Sequence, residues 1–102
     1  MPARGVDLAI ADLNRAIELR PGEAVAWYNR GLAYAKLGNH DQAIADYDKA
    51  IADFTAANRL DPTDPAPVFN RGLSHVRAKN HEAAVADFTE AIRLTPDDPA
   101  AF

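Results

Sequence analysis

The chain has 102 residues, 48% of them hydrophobic, with no cysteine and a formal net charge of −4. This size fits one small domain, and the lack of cysteine excludes disulfide frameworks, thiolate metal sites and a thiol nucleophile. The acidic balance argues against nucleic-acid binding, which needs clustered positive charge, and no apolar stretch is long enough to span a membrane. We see no secretory leader and favour a cytoplasmic location, although the compartment stays open.

Hydrophobic periodicity predicts five helices, over residues 6–20, 24–37, 41–60, 65–79 and 81–95. Asn39 and Asn80 are the expected N-caps of the third and fifth helices. Asp64-Pro65 fits an N-cap followed by proline at the first helical position of the fourth. Strand signals are absent from the sequence, so we expect an all-α fold.

The chain repeats itself, and the repeats organise the helices into pairs. The tetrapeptide Asn-Arg-Gly-Leu at residues 29–32 returns at residues 70–73, 41 residues later. A pentapeptide of the form Ala-x-Ala-Asp plus a large apolar residue begins at Ala9, Ala43 and Ala84. Each unit therefore has a first-type helix, which carries the tetrapeptide, and a second-type helix, which carries the pentapeptide.

These landmarks resemble the tetratricopeptide repeat family, whose pattern of small and large residues recurs every 34 residues or so. The matching residues are Ala9, Leu13, Ala16 and Pro21, then Trp27, Gly31, Tyr34, Ala43, Tyr47 and Ala50, then Val68, Gly72, Ala84, Phe88, Ala91 and Pro96. Arg30 and Arg71 depart from the pattern, which has leucine there, and we expect them to weaken packing within each unit. The resemblance implies a right-handed α-solenoid of antiparallel helix pairs.

We interpret residues 1–102 as a single helical-repeat domain. It comprises a half repeat (1–23), a repeat with a seven-residue insertion (24–64), a repeat (65–98) and the start of a further helix (99–102). Asp98-Pro99 would begin that further helix as Asp64-Pro65 begins the fourth. Neither end looks capped, which predicts exposed repeat surfaces there.

The insertion is a duplicated heptad: residues 43–49 are followed at once by a near copy, residues 50–56. Seven residues turn a helix through about 700° and lengthen it by ~10 Å, so the apolar face is preserved. We therefore expect one continuous helix over 41–60, with the neighbouring units displaced by up to ~10 Å along it. A tolerated insertion with a local bulge is the alternative.

The resemblance also implies a function, which is binding of a protein or peptide in a concave groove lined by first-type helices. We assign the groove to Tyr28, Asn29, Leu32, Lys36, Phe69, Asn70, Leu73 and Arg77. The first-type helices carry basic residues and no acidic ones, which favours an acidic ligand, although ordinary bias of a solvated face would give the same count. Packing of Tyr28 and Phe69 between units is the structural alternative to ligand contact.

A second hypothesis is a self-assembling module that forms homo-oligomers through its uncapped ends or by exchanging helices. We expect no enzyme activity, metal or cofactor, because Ser74 and His75 point about 100° apart on one helix and no donors share the spacing of a metal site. Asp46, Asp53 and Asp87 are expected on solvated helix surface. Alanine and arginine usage hints at a bacterial source.

Overall fold

The computed structural model describes residues 2–95, with side chains from residue 5 onward, and these residues form five helices and no strand. The helices are α1 (Pro2–Leu19), α2 (Ala24–Lys36), α3 (His40–Leu60), α4 (Pro65–Arg77) and α5 (His81–Leu94). All five expected helices are present, with ends that differ from the predicted ones by up to four residues. Asp98-Pro99 and the helix expected from residue 99 lie outside the described residues.

Each helix packs against the next one along the chain, so the helices form one elongated stack of 47 × 27 × 25 Å. This is the arrangement expected of a helical solenoid, in which every unit buries its apolar face on a neighbour. No helix in the described part of the chain combines the length and the apolar character needed to cross a membrane.

Capping explains where α4 begins. The Asp64 carboxylate accepts a hydrogen bond from the Ala66 amide at 3.0 Å, and proline occupies the start of the helix, as predicted. Asn39 and Asn80 hold the N-cap positions of α3 and α5, but their side chains make no capping hydrogen bond. The asparagine caps were thus correctly placed, but the expected role of their side chains was wrong.

Small residues let the paired helices approach closely. A Cβ atom added to Gly31 would lie 2.6 Å from a ring carbon of Tyr47, and one added to Gly72 would lie 2.7 Å from a ring carbon of Phe88. Around Gly31, Ala43 is 2% exposed and Ala50 is fully buried. The interlock of glycine and alanine with aromatic rings, which the sequence predicts, therefore builds the core of each repeat.

The helix that contains both heptads is continuous. α3 has 21 residues, whereas α5, the second-type helix of the next repeat, has 14. Ala50 and Phe54 of the second heptad pack with Ala24 at the start of α2, and Trp27 and Tyr28 cover them. The second heptad therefore remains helical and contributes to the core, with no bulge.

Candidate functional site: the first-type helices and their neighbours

A guanidinium fork joins the two helices of the middle repeat. Arg30 donates from Nε and Nη2 to the two carboxylate oxygens of Asp46, at 2.8 and 2.7 Å, and from Nη1 to Asn14 Oδ1 at 2.8 Å. The hydrogen bond to Asp46 raises the pKa of Arg30, and burial acts in the opposite direction. One side chain thus ties α2 to both the helix before it and the helix after it.

The next repeat has the same fork. Arg71 donates from Nε and Nη2 to Asp87, at 2.8 and 2.7 Å, and from Nη1 to Thr55 Oγ1 at 3.2 Å. The hydrogen bond to Asp87 raises the pKa of Arg71, against the effect of burial. The arginines at the family's leucine position therefore link the helices through charge, and the expectation that they weaken packing was wrong.

The forks overturn a second expectation. Asp46 is 4% exposed and Asp87 is 6% exposed, so these carboxylates are buried rather than solvated. Burial of an ionised carboxylate is tolerated because a guanidinium satisfies both of its oxygens. The signal was present in the sequence, since each arginine precedes its aspartate by 16 residues in two successive units.

The forks also reveal how the repeats sit on α3. Arg30 binds Asp46 of the first heptad, whereas Arg71 binds Thr55 of the second heptad. Thr55 holds the same repeat position as Asn14, the residue of α1 that Arg30 contacts. Consequently α2 pairs with the first heptad of α3 and α4 docks on the second.

This docking staggers the two first-type helices. Arg77 Nε donates to the Tyr28 hydroxyl across 3.4 Å, so the end of α4 lies beside the beginning of α2. The repeat equivalent of Arg77 in α2 is Lys36, eight residues beyond Tyr28. Eight helical residues correspond to ~12 Å, which agrees with the displacement expected from a two-turn insertion.

The candidate groove residues therefore fall into two stripes that meet at one point. Tyr28 packs on Tyr47 with ring centroids 5.8 Å apart and contacts Arg77. The hydrogen bond to Tyr28 raises the pKa of Arg77. The structure brings Tyr28 and Arg77 together, whereas Leu32 and Lys36 lie farther along α2, away from their counterparts on α4.

On α4, Phe69 packs against Phe88 with centroids 5.6 Å apart and remains 47% exposed. Leu73 is half-buried. Asn70 lines a cavity of about 240 Å³ between the starts of α2 and α4, together with Asp53 and Phe54 of the second heptad. This part of the surface presents aromatic, aliphatic and amide groups side by side.

On α2, three of the predicted residues face α1 instead of α4. Asn29, Leu32 and Lys36 line a cleft of about 440 Å³ whose other wall includes Ala9 and Leu13 of α1. The stagger caused by the second heptad separates this cleft from the α4 stripe. Sequence reasoning placed these residues on the correct helix but did not foresee that α1 would border them.

The arrangement offers binding groups but little for chemistry. Ser74 is fully buried and donates to the Asn70 carbonyl at 3.1 Å, and His75 lies 3.7 Å from Asp87. Among the described residues no group of three or more histidine or acidic side chains could hold a metal ion. Asp53, the copy of Asp46 in the second heptad, has one buried carboxylate oxygen with no hydrogen-bond partner.

Comparison with known proteins agrees with this geometry. Two tetratricopeptide repeat models match residues 24–52 and 45–99. No match was found among curated proteins. The crystal structure of MamA is similar at 31% sequence identity and a TM-score of 0.51, over 89% of this chain and 49% of that chain. The MamA RS-1 ArsTM double mutant is similar at 28% identity and a TM-score of 0.50, over 88% of this chain and 47% of that chain.

This chain thus spans about half the length of the MamA chains. The second family model alone covers more than half of this sequence. Paired helices, glycine at the close contacts and a continuous stack without strands in residues 2–95 are the structural counterpart of that match. The chain belongs to the tetratricopeptide repeat family.

Proposed function

We propose that this chain is a non-enzymatic scaffold that binds a peptide or partner helix on the exposed face of α2 and α4. Tetratricopeptide repeats are in general interaction modules for other proteins, which supports the coarse assignment. The finer assignment is to the eight predicted residues, Tyr28, Asn29, Leu32, Lys36, Phe69, Asn70, Leu73 and Arg77.

The main support is a contrast between the basic side chains of the first-type helices. Arg30 and Arg71 use their charge inside the protein, on Asp46 and Asp87. Lys36 and Arg77 are exposed and make no ion pair within the described residues. The two cations left for a ligand flank the aromatic surface, so an acidic peptide is the ligand that this face favours.

The stagger of the stripes sets the expected path of the ligand. Tyr28 and Arg77 meet at the centre, with Lys36 towards one end and Phe69 towards the other. A ligand that reaches both ends must cross the two helices obliquely. The exposed ring of Phe69 would anchor an apolar side chain, and the amides of Asn29 and Asn70 would bond the ligand's backbone.

The test is selection of random 16-residue peptides displayed on phage against the immobilised protein, followed by affinity measurements on synthetic copies. Phe69→Ser should weaken binding of the selected peptides roughly tenfold or more, as loss of a buried aromatic anchor does. Val85→Ser is the matched control, because Val85 is 64% exposed on the second-type helix α5. Equal effects of the two substitutions, or enrichment of basic peptides, would contradict the assignment.

Self-association is the second candidate, and one observation favours it. Leu19 and Leu60 occupy the same repeat position at the ends of α1 and α3 and are 76% and 89% exposed. Large exposed apolar side chains near helix ends are suited to contact another copy. Light scattering after gel filtration over a hundredfold dilution tests this, and a monomer at every concentration would exclude it.

A further inference from the structure

The second-type helix α1 has the covering surface of a complete repeat but no helix over it in the described residues. In the middle repeat, α2 buries the small–large–small stripe of α3, so that Ala43 and Tyr47 are each 2% exposed and Ala50 is 0% exposed. The corresponding stripe of α1 is Ala9, Leu13 and Ala16. Both of its alanines are exposed, and Leu13 is half-buried.

Two cavities flank this stripe. One has a volume of about 440 Å³ and the other of about 390 Å³, and both are lined by Leu13 of α1 and Asn29 of α2. The larger also contacts Ala9, and the smaller contacts Ala16. Together they form an open trough along α1 with α2 as its wall, which we call the α1 docking face.

The charge on this face matches the forks of the other repeats. Asp12 precedes Leu13 as Asp46 precedes Tyr47 and as Asp87 precedes Phe88. Asp46 and Asp87 each bind a guanidinium, whereas Asp12 is exposed and has no ion pair among the described residues. A third carboxylate thus stands in the same register without its arginine.

The two filled repeats specify what would fit. In each, the helix that covers the stripe carries arginine for the aspartate and, directly after it, glycine where the large side chain leaves no room for a Cβ atom. Leucine at position 13 is narrower than the rings of Tyr47 and Phe88, so alanine could replace the glycine. The required ligand is therefore an amphipathic helix with arginine followed by a small residue at its centre.

We propose that the α1 docking face binds such a helix from a partner protein, with the arginine on Asp12 and the small residue on Leu13. The face shares Asn29, Leu32 and Lys36 with the proposed peptide surface, but its floor is α1. Asp12 takes no part in the proposed function, and Phe69 takes no part in this one. The two proposals can therefore fail separately.

The probe is an acetylated and amidated peptide with the sequence of residues 65–79, which carries the Arg-Gly pair of α4, labelled for fluorescence anisotropy. It should bind the complete chain saturably, and Asp12→Asn should weaken binding roughly 10- to 100-fold, the loss expected for a charge-assisted pair. A peptide with Arg71→Gln, and a second with Gly72→Leu, should lose affinity as well. Asp7→Asn is the matched control, because residue 7 lies about 140° around the same helix from residue 12.

Retention of the circular dichroism spectrum shows that each variant is folded. Absence of saturable binding would overturn the proposal. So would equal affinities of the Asp12→Asn and Asp7→Asn variants, which would mean that the peptide enters by displacing α4. A protein dimer that Asp12→Asn dissociates would make a second copy the occupant and would overturn the assignment to a partner protein.

Discussion

Neutralising Asp46 should destabilise the protein far more than neutralising Asp53, although the two aspartates lie seven residues apart on one helix. Both are the aspartate of the repeated pentapeptide, once in each heptad of α3. Asp46 binds Arg30 through both oxygens, whereas Asp53 lies 3.4 Å from Lys49 and has one buried oxygen without a partner. Asp46→Asn and Asp53→Asn are therefore a matched pair of substitutions.

The expected magnitudes follow from these contacts. A hydrogen bond between charged groups contributes about 1.5–3 kcal/mol, and asparagine keeps one of the two acceptors. With the side chain of Asp46 5% exposed and that of Arg30 19% exposed, the guanidinium left behind regains little water. We expect Asp46→Asn to lower the free energy of unfolding by about 2–4 kcal/mol.

For Asp53 the opposing effects nearly cancel. The ion pair with Lys49, whose side chain is 46% exposed, contributes no more than about 0.3–0.5 kcal/mol. The unpartnered buried oxygen costs the native state about 1–3 kcal/mol, part of which a neutral amide still incurs. Asp53→Asn should therefore change the free energy of unfolding by less than about 1 kcal/mol in either direction.

Urea unfolding followed by circular dichroism at 222 nm and by Trp27 fluorescence measures both changes. The slope of the free energy with urea should stay constant, because neither substitution alters the surface exposed on unfolding. A loss of stability at Asp53 as large as that at Asp46 would refute the reasoning. It would mean that the second heptad has a charge partner in solution that this structure does not contain.

The other predictions concern packing, titration and register. Gly72→Ala should destabilise by about 1–3 kcal/mol in urea unfolding, because its Cβ would overlap an aromatic ring, whereas Gly5→Ala on open helix surface should stabilise by about 0.5–1 kcal/mol. Burial raises the pKa of Tyr47 above its ordinary value of 10.0, so this phenol's contribution to stability is present below that pH and lost as the pH rises past it. Tyr47→Phe should reduce this alkaline loss and Tyr34→Phe should not, as measured by urea unfolding from pH 9 to 11. Deletion of residues 50–56 should shift α4 by ~10 Å along α3, which distances between spin labels on α2 and α4 would show; an unchanged distance would contradict the register.

The fold could be predicted from the sequence because it depends on local signals that recur. Helical periodicity, the Asp64-Pro65 cap and the spacing of small and large residues each mark one element or one close contact, and repetition made them visible. Continuity of α3 followed from the near-integral number of turns in seven residues. The domain boundaries and the start of a further helix at residue 99 remain predictions.

The candidate site was harder to predict, because it depends on contacts between units. Arg30 and Arg71 were counted as groove charge, but each reaches across to an aspartate 16 residues later, a pairing that no helical face reveals. A polar residue in a repeated helix position can be solvated or paired across the repeat, and single-helix periodicity does not distinguish the two. The bordering of Asn29, Leu32 and Lys36 by α1 likewise depends on how units stack.

The duplicated heptad explains why the groove of this chain differs from the groove that its family pattern predicts. Insertion of two helical turns keeps every apolar position of α3 facing its neighbours, so α2 and α4 can each find a complete set of contacts on the same helix. The contacts are satisfied at different heights, however, and the displacement passes directly to the exposed faces of α2 and α4. Tyr28 therefore meets Arg77 instead of Phe69. An insertion that is nearly silent for the core thus alters the binding surface, because the core responds to the angle around the helix whereas the groove responds to the distance along it.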